Sequence, residues 1–186
     1  NVFNLAIKRG DLNSLSKQQL GEALFSDIYI VFGASFIKGW LMEYLVSKKA
    51  LNIHTGILPY YRGSSCNFWA LYDESPEYVG ATIHMLSSGL DKGDILFHCL
   101  PKYKKGESSF DFTMRSITIA QECLINKIKN EEIFSIKPIV QDYKKLIRYS
   151  RNNEFTDEIA RDFLNKKLDL EKIDFKYPNL FNPLFE

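Results

Sequence analysis

The chain is 186 residues long, with 45% hydrophobic and 25% charged residues, a balance that fits one packed globular domain and excludes fibrous and disordered classes. Lys and Arg number 24 against 23 for Asp and Glu, so there is no general pull toward nucleic acid or an anionic membrane, and a polyanion would need a local cluster.

Val2 to Ile7 reads as a short strand, followed by a polar turn around Gly10 and a helix that Ser14 or Ser16 can cap ahead of Leu20, Ala23 and Leu24. Asp27 to Gly33 is a nearly continuous β-branched and aromatic run, as expected of a parallel strand buried on both faces. Trp40, Leu41, Tyr44 and Leu45 fall at helical spacing, and Ala50 to His54 starts another strand. This is βαβ grammar, so the class is α/β. Thr55 to Ser65 carries Gly56, Pro59 and Gly63 and reads as an extended loop entering a helix over 67–72. Two strands, 79–86 and 95–100, flank a glycine-rich turn from Ser87 to Gly93. Residues 108–130 form the clearest amphipathic helix, with Phe112, Ile119 and Cys123 apolar. After Lys144 the chain is polar and helical, with Phe155, Ile159 and Phe163 four apart, and its end from Lys176 is expected to lie extended over the surface.

The longest apolar stretches, such as 28–36, have strand length and fall far short of the roughly 20 residues a bilayer span needs. No membrane partner is therefore expected. Cys66, Cys99 and Cys123 are odd in number and widely spaced, which supports neither a disulfide framework nor a zinc knuckle and points to reduced thiols in a cytoplasmic protein. No cluster has metal-ligand spacing, and no metal is expected.

Reactive side chains in an open α/β sheet belong at the C-terminal ends of strands. Asn52 and His54 sit there, and strand alternation puts them on one side, where both can donate to a single carbonyl oxygen. Alone the pair is weak, since a lone histidine beside a strand is more often a structural group. Asp91 supplies an acid in a glycine-flanked turn between two strands. His84 and His98, on the strands either side of it, read as structural.

The ordered set Asn52-x-His54, Leu58-Pro59-x-x-x-Gly63 and Leu90-Asp91-x-Gly93-Asp94-Ile95-Leu96 resembles the folate-dependent formyltransferase family over about 27–122, and the aromatic-rich stretch from Pro59 to Trp69 is most similar to its sugar-nucleotide N-formyltransferases. The resemblance implies a Rossmann-like, mostly parallel sheet flanked by helices, with 10-formyltetrahydrofolate as donor and Asn52, His54 and Asp91 as the catalytic trio. Gly33, Ala34, Ser35, Phe36 and Ile37 would line the folate pocket through their backbone and apolar walls, facing the turn that holds Leu86 and Gly89. Phe36 and Trp69 also fit plain packing roles.

The family's domain opens with a βαβ unit of roughly 30 residues or more ahead of the segment matching Val2, and the chain is expected to lack this first unit, leaving a sheet edge uncovered. Residues 1–143 are expected to form the catalytic domain and 144–186 a helical and extended tail too short for a further tRNA-binding barrel. The acceptor is then a small amine. Tyr60, Tyr61 and Trp69 are candidates to stack on a sugar or base and Arg62 to pair with phosphate, which favours a nucleotide-linked amino sugar over nucleic acid. Glycinamide ribonucleotide, hydrolysis of the formyl folate, and a non-catalytic folate- or nucleotide-binding fragment remain alternatives, and a homo-oligomer is left open.

Overall fold

The computed structural model describes residue 2 and residues 4–166 and 168–186. Its main sheet has five strands in the order β1 (Ile30–Phe32), β2 (Leu51–His54), β4 (Ala81–Met85), β5 (Ile95–Leu100), β7 (Pro183–Phe185). A separate two-stranded sheet pairs β3 (Tyr61–Gly63) in parallel with β6 (Arg148–Ser150). In the main sheet β1–β2 and β5–β7 are parallel while β4 runs antiparallel to both neighbours. Four of the five strands therefore point the same way, a mostly parallel α/β sheet interrupted by one reversed strand.

Alternation along the strands sorts side chains between the two faces. Leu51 and Ile53 of β2, and Ala81 and Ile83 of β4, pack into one core with Phe97, Ile119, Ala120 and Leu124. The last three belong to α4 (Ser109–Lys129), whose start Ser108 caps by accepting the Asp111 N–H. Asn52, His54, Thr82 and His84 are the intervening residues and face the other way. At the β1 end, α2 (Gly39–Ser47) contributes Leu41, Met42 and Leu45 to a second cluster with Ile37, Ala50 and Val31. A third gathers Trp69 and Ala70 of α3 (Cys66–Tyr72) with Leu100, Phe112 and Phe185, and is reached by Ile159 and Phe163 of α5 (Asp157–Lys166).

Two sequence expectations need correction, and one open alternative is resolved. The strand over Val2 to Ile7 does not form: residues 4–8 carry no sheet pairing and Leu5 and Ile7 are exposed, while Phe3 lies outside the described residues. Without a neighbouring strand, an isolated extended segment leaves its backbone groups to water. Ser16, and not Ser14, caps the short α1 (Lys17–Leu20), in a reciprocal pair of hydrogen bonds with Gln19. Finally, β1 is not buried on both faces; it is an edge strand paired only with β2, and Ile30 and Phe32 are 46% and 41% exposed. The C-terminal segment also does more than cover the surface, because its last residues supply β7 to the sheet.

Candidate active site

The polar face of β2 and β4 opens onto a cavity of about 820 Å³. Asn52, His54 and Asp91 all line it, together with Gly33, Ala34, Ser35, Phe36 and Ile37 from the end of β1 and Leu86 and Gly89 from the turn after β4. The loop after β1 is pinned by Asn13, whose side chain donates to the Phe36 carbonyl at 2.9 Å and accepts the Lys38 N–H at 2.8 Å. Phe36 itself is 54% exposed, whereas Ile37 is buried.

His54 Nδ1 lies 3.4 Å from Asp91 Oδ1, and both side chains are buried. The other ring nitrogen, Nε2, stands 3.2 Å from the Tyr61 carbonyl. A carbonyl and a carboxylate only accept, so the two contacts together suit an imidazolium. Burial opposes that charge, but the Cys66 sulfur and the Asp91 carboxylate outweigh it and hold the His54 pKa well above 6.5. Asp91 responds in the opposite sense: burial pushes its carboxyl up, yet the hydrogen bond and charge of His54 and the Gly63 N–H keep it below 3.8.

Asn52 and His84 are direct cross-strand partners in the antiparallel β2–β4 pair. Asn52 Nδ2 lies 2.9 Å from His84 Nε2, and His84 Nδ1 lies 2.8 Å from the Met85 carbonyl. The carbonyl requires the proton on Nδ1, which leaves Nε2 to accept from the Asn52 amide. Burial, with the nearby charge of His54, drives the His84 pKa down to about 4 and keeps the ring neutral. One Asn52 N–H is thereby committed and the other has no acceptor among the described residues. His54, by contrast, has both nitrogens engaged. Of the two residues expected to donate to one carbonyl oxygen, Asn52 therefore keeps an N–H without a partner among the described residues, and His54 is bound through both nitrogens.

Glycines allow the approach of these segments. Gly63, at φ 97°, donates its N–H to Asp91 Oδ2 at 3.2 Å, and a Cβ there would come within 2.0 Å of the Ser150 carbonyl oxygen. A Cβ on Gly93 would lie 1.6 Å from the Met85 carbonyl oxygen and 3.2 Å from His84 Nδ1. The turn carrying Asp91 can close onto the end of β4 only with glycine at that position.

The aromatic acceptor surface expected from Tyr60, Tyr61 and Trp69 is not presented to this cavity. All three are buried in the third core cluster. Large aromatic rings gain most from such burial, and their polar ends are turned inward: the Tyr60 hydroxyl donates to the Asn179 carbonyl and the Tyr61 hydroxyl to Asp73. Arg148 stacks 3.8 Å above the Trp69 ring and pairs with Asp73. Arg62 lies over Tyr149 and Tyr143, at 4.8 and 5.6 Å, and also does not line the cavity. His98 is a brace, its nitrogens meeting the Leu58 and Phe181 carbonyls. His84, read from the sequence as structural, also lines the cavity and meets Asn52. Its signal is the Asn52–His84 register, which exists only once two strands are paired. Among the described residues no group of three His, Cys, Asp or Glu side chains is placed to hold a metal ion, and no helix is long and apolar enough to cross a membrane.

The family model described as Formyl transferase matches residues 19–128, more than half of the chain. Methionyl-tRNA formyltransferase of Prochlorococcus marinus is 26% identical over 161 residues, 83% of this chain and 48% of the relative. That of Anaeromyxobacter sp. is 29% identical over 64% of this chain and 38% of its own length. The chain thus spans about half or less of the curated relatives it matches. Among solved structures, a 4-N formyltransferase from Francisella tularensis superposes with a TM-score of 0.60 at 20% identity, covering 92% of this chain and 71% of that one. The formyltransferase PseJ from Anoxybacillus kamchatkensis, in complex with UDP-4,6-dideoxy-4-formamido-L-AltNAc and tetrahydrofolate, superposes with a TM-score of 0.59 at 22% identity, covering 90% of this chain and 78% of that one.

Proposed function

The chain belongs to the formyl transferase family, and on that footing we propose that it transfers a formyl group from 10-formyltetrahydrofolate to a primary amine, with Asn52, His54 and Asp91 as catalytic residues. The observation that carries this reading is the meeting of the His54–Asp91 pair and a half-committed Asn52 amide in one cavity. Tetrahydrofolate bound in PseJ supports the choice of donor. The loop 33–37 and the turn at Leu86 and Gly89 offer backbone groups and apolar walls that fit a flat heteroaromatic ring.

The donor supplies the formyl carbon and departs as tetrahydrofolate. The acceptor amine bonds to that carbon, and the electron pair of the C=O bond moves onto oxygen. The free Asn52 N–H donates to this oxygen as it turns anionic, and the His54 imidazolium stabilises it by charge. A preorganised donor of this kind is worth about 3 to 4 kcal/mol. Asp91 keeps His54 charged and takes up, directly or through water, the proton the amine sheds. The C–N bond to the donor then breaks, and Asp91 returns that proton, directly or through water, to the departing nitrogen, which restores the carboxylate beside His54. General acid–base help contributes roughly 10² to 10⁴ in rate.

For the acceptor we favour a nucleotide-linked amino sugar. The fold-level likeness to sugar N-formyltransferases, PseJ and an enzyme from Shewanella among them, supports it, as does a net charge of +1. A second reading, transfer to methionyl-tRNA, is favoured by the sequence relatives. Mass spectrometry of amino-sugar nucleotides, glycinamide ribonucleotide and charged initiator tRNA, each incubated with 10-formyltetrahydrofolate and the full-length protein, separates them. A formylated sugar nucleotide is expected. Formylated tRNA or glycinamide ribonucleotide alone would replace the acceptor and leave the trio in place; release of free formate without acceptor would mark a hydrolase.

A further inference from the structure

The turn that carries Asp91 is held from outside by a segment no motif points to. Residues 141–143 follow a two-residue bridge in which Ile139 exchanges both backbone hydrogen bonds with Ile95, the first residue of β5. Gln141 is buried, and its Nε2 donates to the Asp91 carbonyl at 2.9 Å and to the Gly93 carbonyl at 2.6 Å. The Tyr143 hydroxyl donates to the carbonyl between them, that of Lys92, at 3.0 Å. Three consecutive carbonyls of the acid turn are therefore captured by two side chains of one short segment.

We propose that Gln141, with Tyr143 in support, is a positioning residue that holds the backbone of the Asp91 turn so that the carboxylate stays against His54.

The turn needs such a clamp. Asp91 has φ 50°, in the left-handed region that costs a non-glycine residue free energy and persists only when surrounding contacts over-determine it. Backbone carbonyls turned away from any ladder also need donors, and a primary amide supplies two N–H groups from one atom. Gln141 Oε1 is buried without a partner. This costs stability, and the amide is thus oriented toward the turn at the expense of its own oxygen. The carboxylate that the clamp fixes accepts from two donors, the Gly63 N–H at Oδ2 and His54 Nδ1 at Oδ1. The His54 contact, at 3.4 Å, is long for a hydrogen bond, so a small drift of the turn would break it.

The clamp can be read without any assumption about the reaction. The His54 imidazole faces Asp91, the Cys66 thiol and the neutral His84 ring, and its titration followed by NMR in the ligand-free chain reports whether the carboxylate is in place. Gln141→Met, which keeps the length and loses the donors, should lower the His54 pKa toward the value measured in Asp91→Asn. Tyr143→Phe, at a 42% exposed position, should lower it less and leaves folding intact should the Gln141 variant fail. In the Asp91→Asn background neither substitution should move it further. The kinetic arm rests on the proposed formyl transfer: Gln141→Met should reduce kcat roughly 10- to 100-fold with KM for 10-formyltetrahydrofolate unchanged, and Gln141→Asn, which retains the two donors, should recover part of it. An unchanged His54 titration in folded Gln141→Met and Tyr143→Phe would overturn the clamp. A shifted titration in a protein that forms no formylated product would keep the clamp and sink the reaction.

Discussion

Asn52 and His84 face each other across β2 and β4 with 2.9 Å between Nδ2 and Nε2. The bond makes the orientation of the Asn52 amide a consequence of the His84 tautomer, which the Met85 carbonyl sets in turn.

If that chain of contacts prepares Asn52 to receive the anionic oxygen, His84→Ala should lower kcat about 10-fold or more while KM for the folate donor stays near its starting value. His84→Gln places an amide oxygen where Nε2 stood and should retain more activity than the alanine variant. Asn52→Asp removes the donor outright and should cost on the order of 10²- to 10³-fold in kcat. Steady-state kinetics on the three variants checks this; equal activity in the alanine variant and the parent chain would show that Asn52 needs no brace.

The His54–Asp91 pair predicts the alkaline side of the activity profile. His54 has its pKa raised above 6.5, so its charged form, and the stability that the pair contributes through it, are fully present below 6.5 and are lost as pH rises through the folded value. Asp91 has its pKa lowered, so its share is present above 3.8 and is lost as pH falls through its folded value. Turnover should accordingly decline with rising pH through the raised His54 pKa, and Asp91→Asn should move that decline to lower pH. A pH–rate profile of kcat for both proteins is the measurement, and superimposable alkaline limbs would remove the carboxylate from its role.

His84 works in the opposite direction on stability. Its pKa falls from 6.5 to about 4 on folding, so the unfolded chain takes up a proton that the native ring refuses, and stability is lost as pH drops through that window. The interval corresponds to on the order of 3 kcal/mol. His98, lowered by burial as well, adds to the same acid limb. Thermal melts between pH 7 and pH 4 should therefore show His84→Gln losing less stability than the parent chain, with a residual slope from His98. Parallel curves would mean that His84 is protonated in the native state.

What the sequence by itself determined is what depends on local periodicity and steric need. The alternation Leu51-Asn52-Ile53-His54 and the apolar stripe of residues 108–130 each declare an element, because burial on one face demands a period that the chain displays, and the β-branched and aromatic run from Ile28 to Phe32 declares a strand by composition. The same alternation sends Asn52 and His54 to one side, and Gly93 follows Asp91 where the turn must close on β4. Tertiary structure decided everything that needs two distant segments to meet. The reversal of β4 brings His84 opposite Asn52, and the docking of residues 141–143 onto the acid turn follows from a bridge between Ile95 and Ile139, which are 44 positions apart. Tyr60, Tyr61 and Trp69 look like a binding surface when read in line, yet they form core once α3, β3 and the C-terminal segment close over them. An aromatic side chain gains free energy from any surface that excludes water. Whether that surface is a ligand or the protein's own chain is settled only by which segments lie nearest in space.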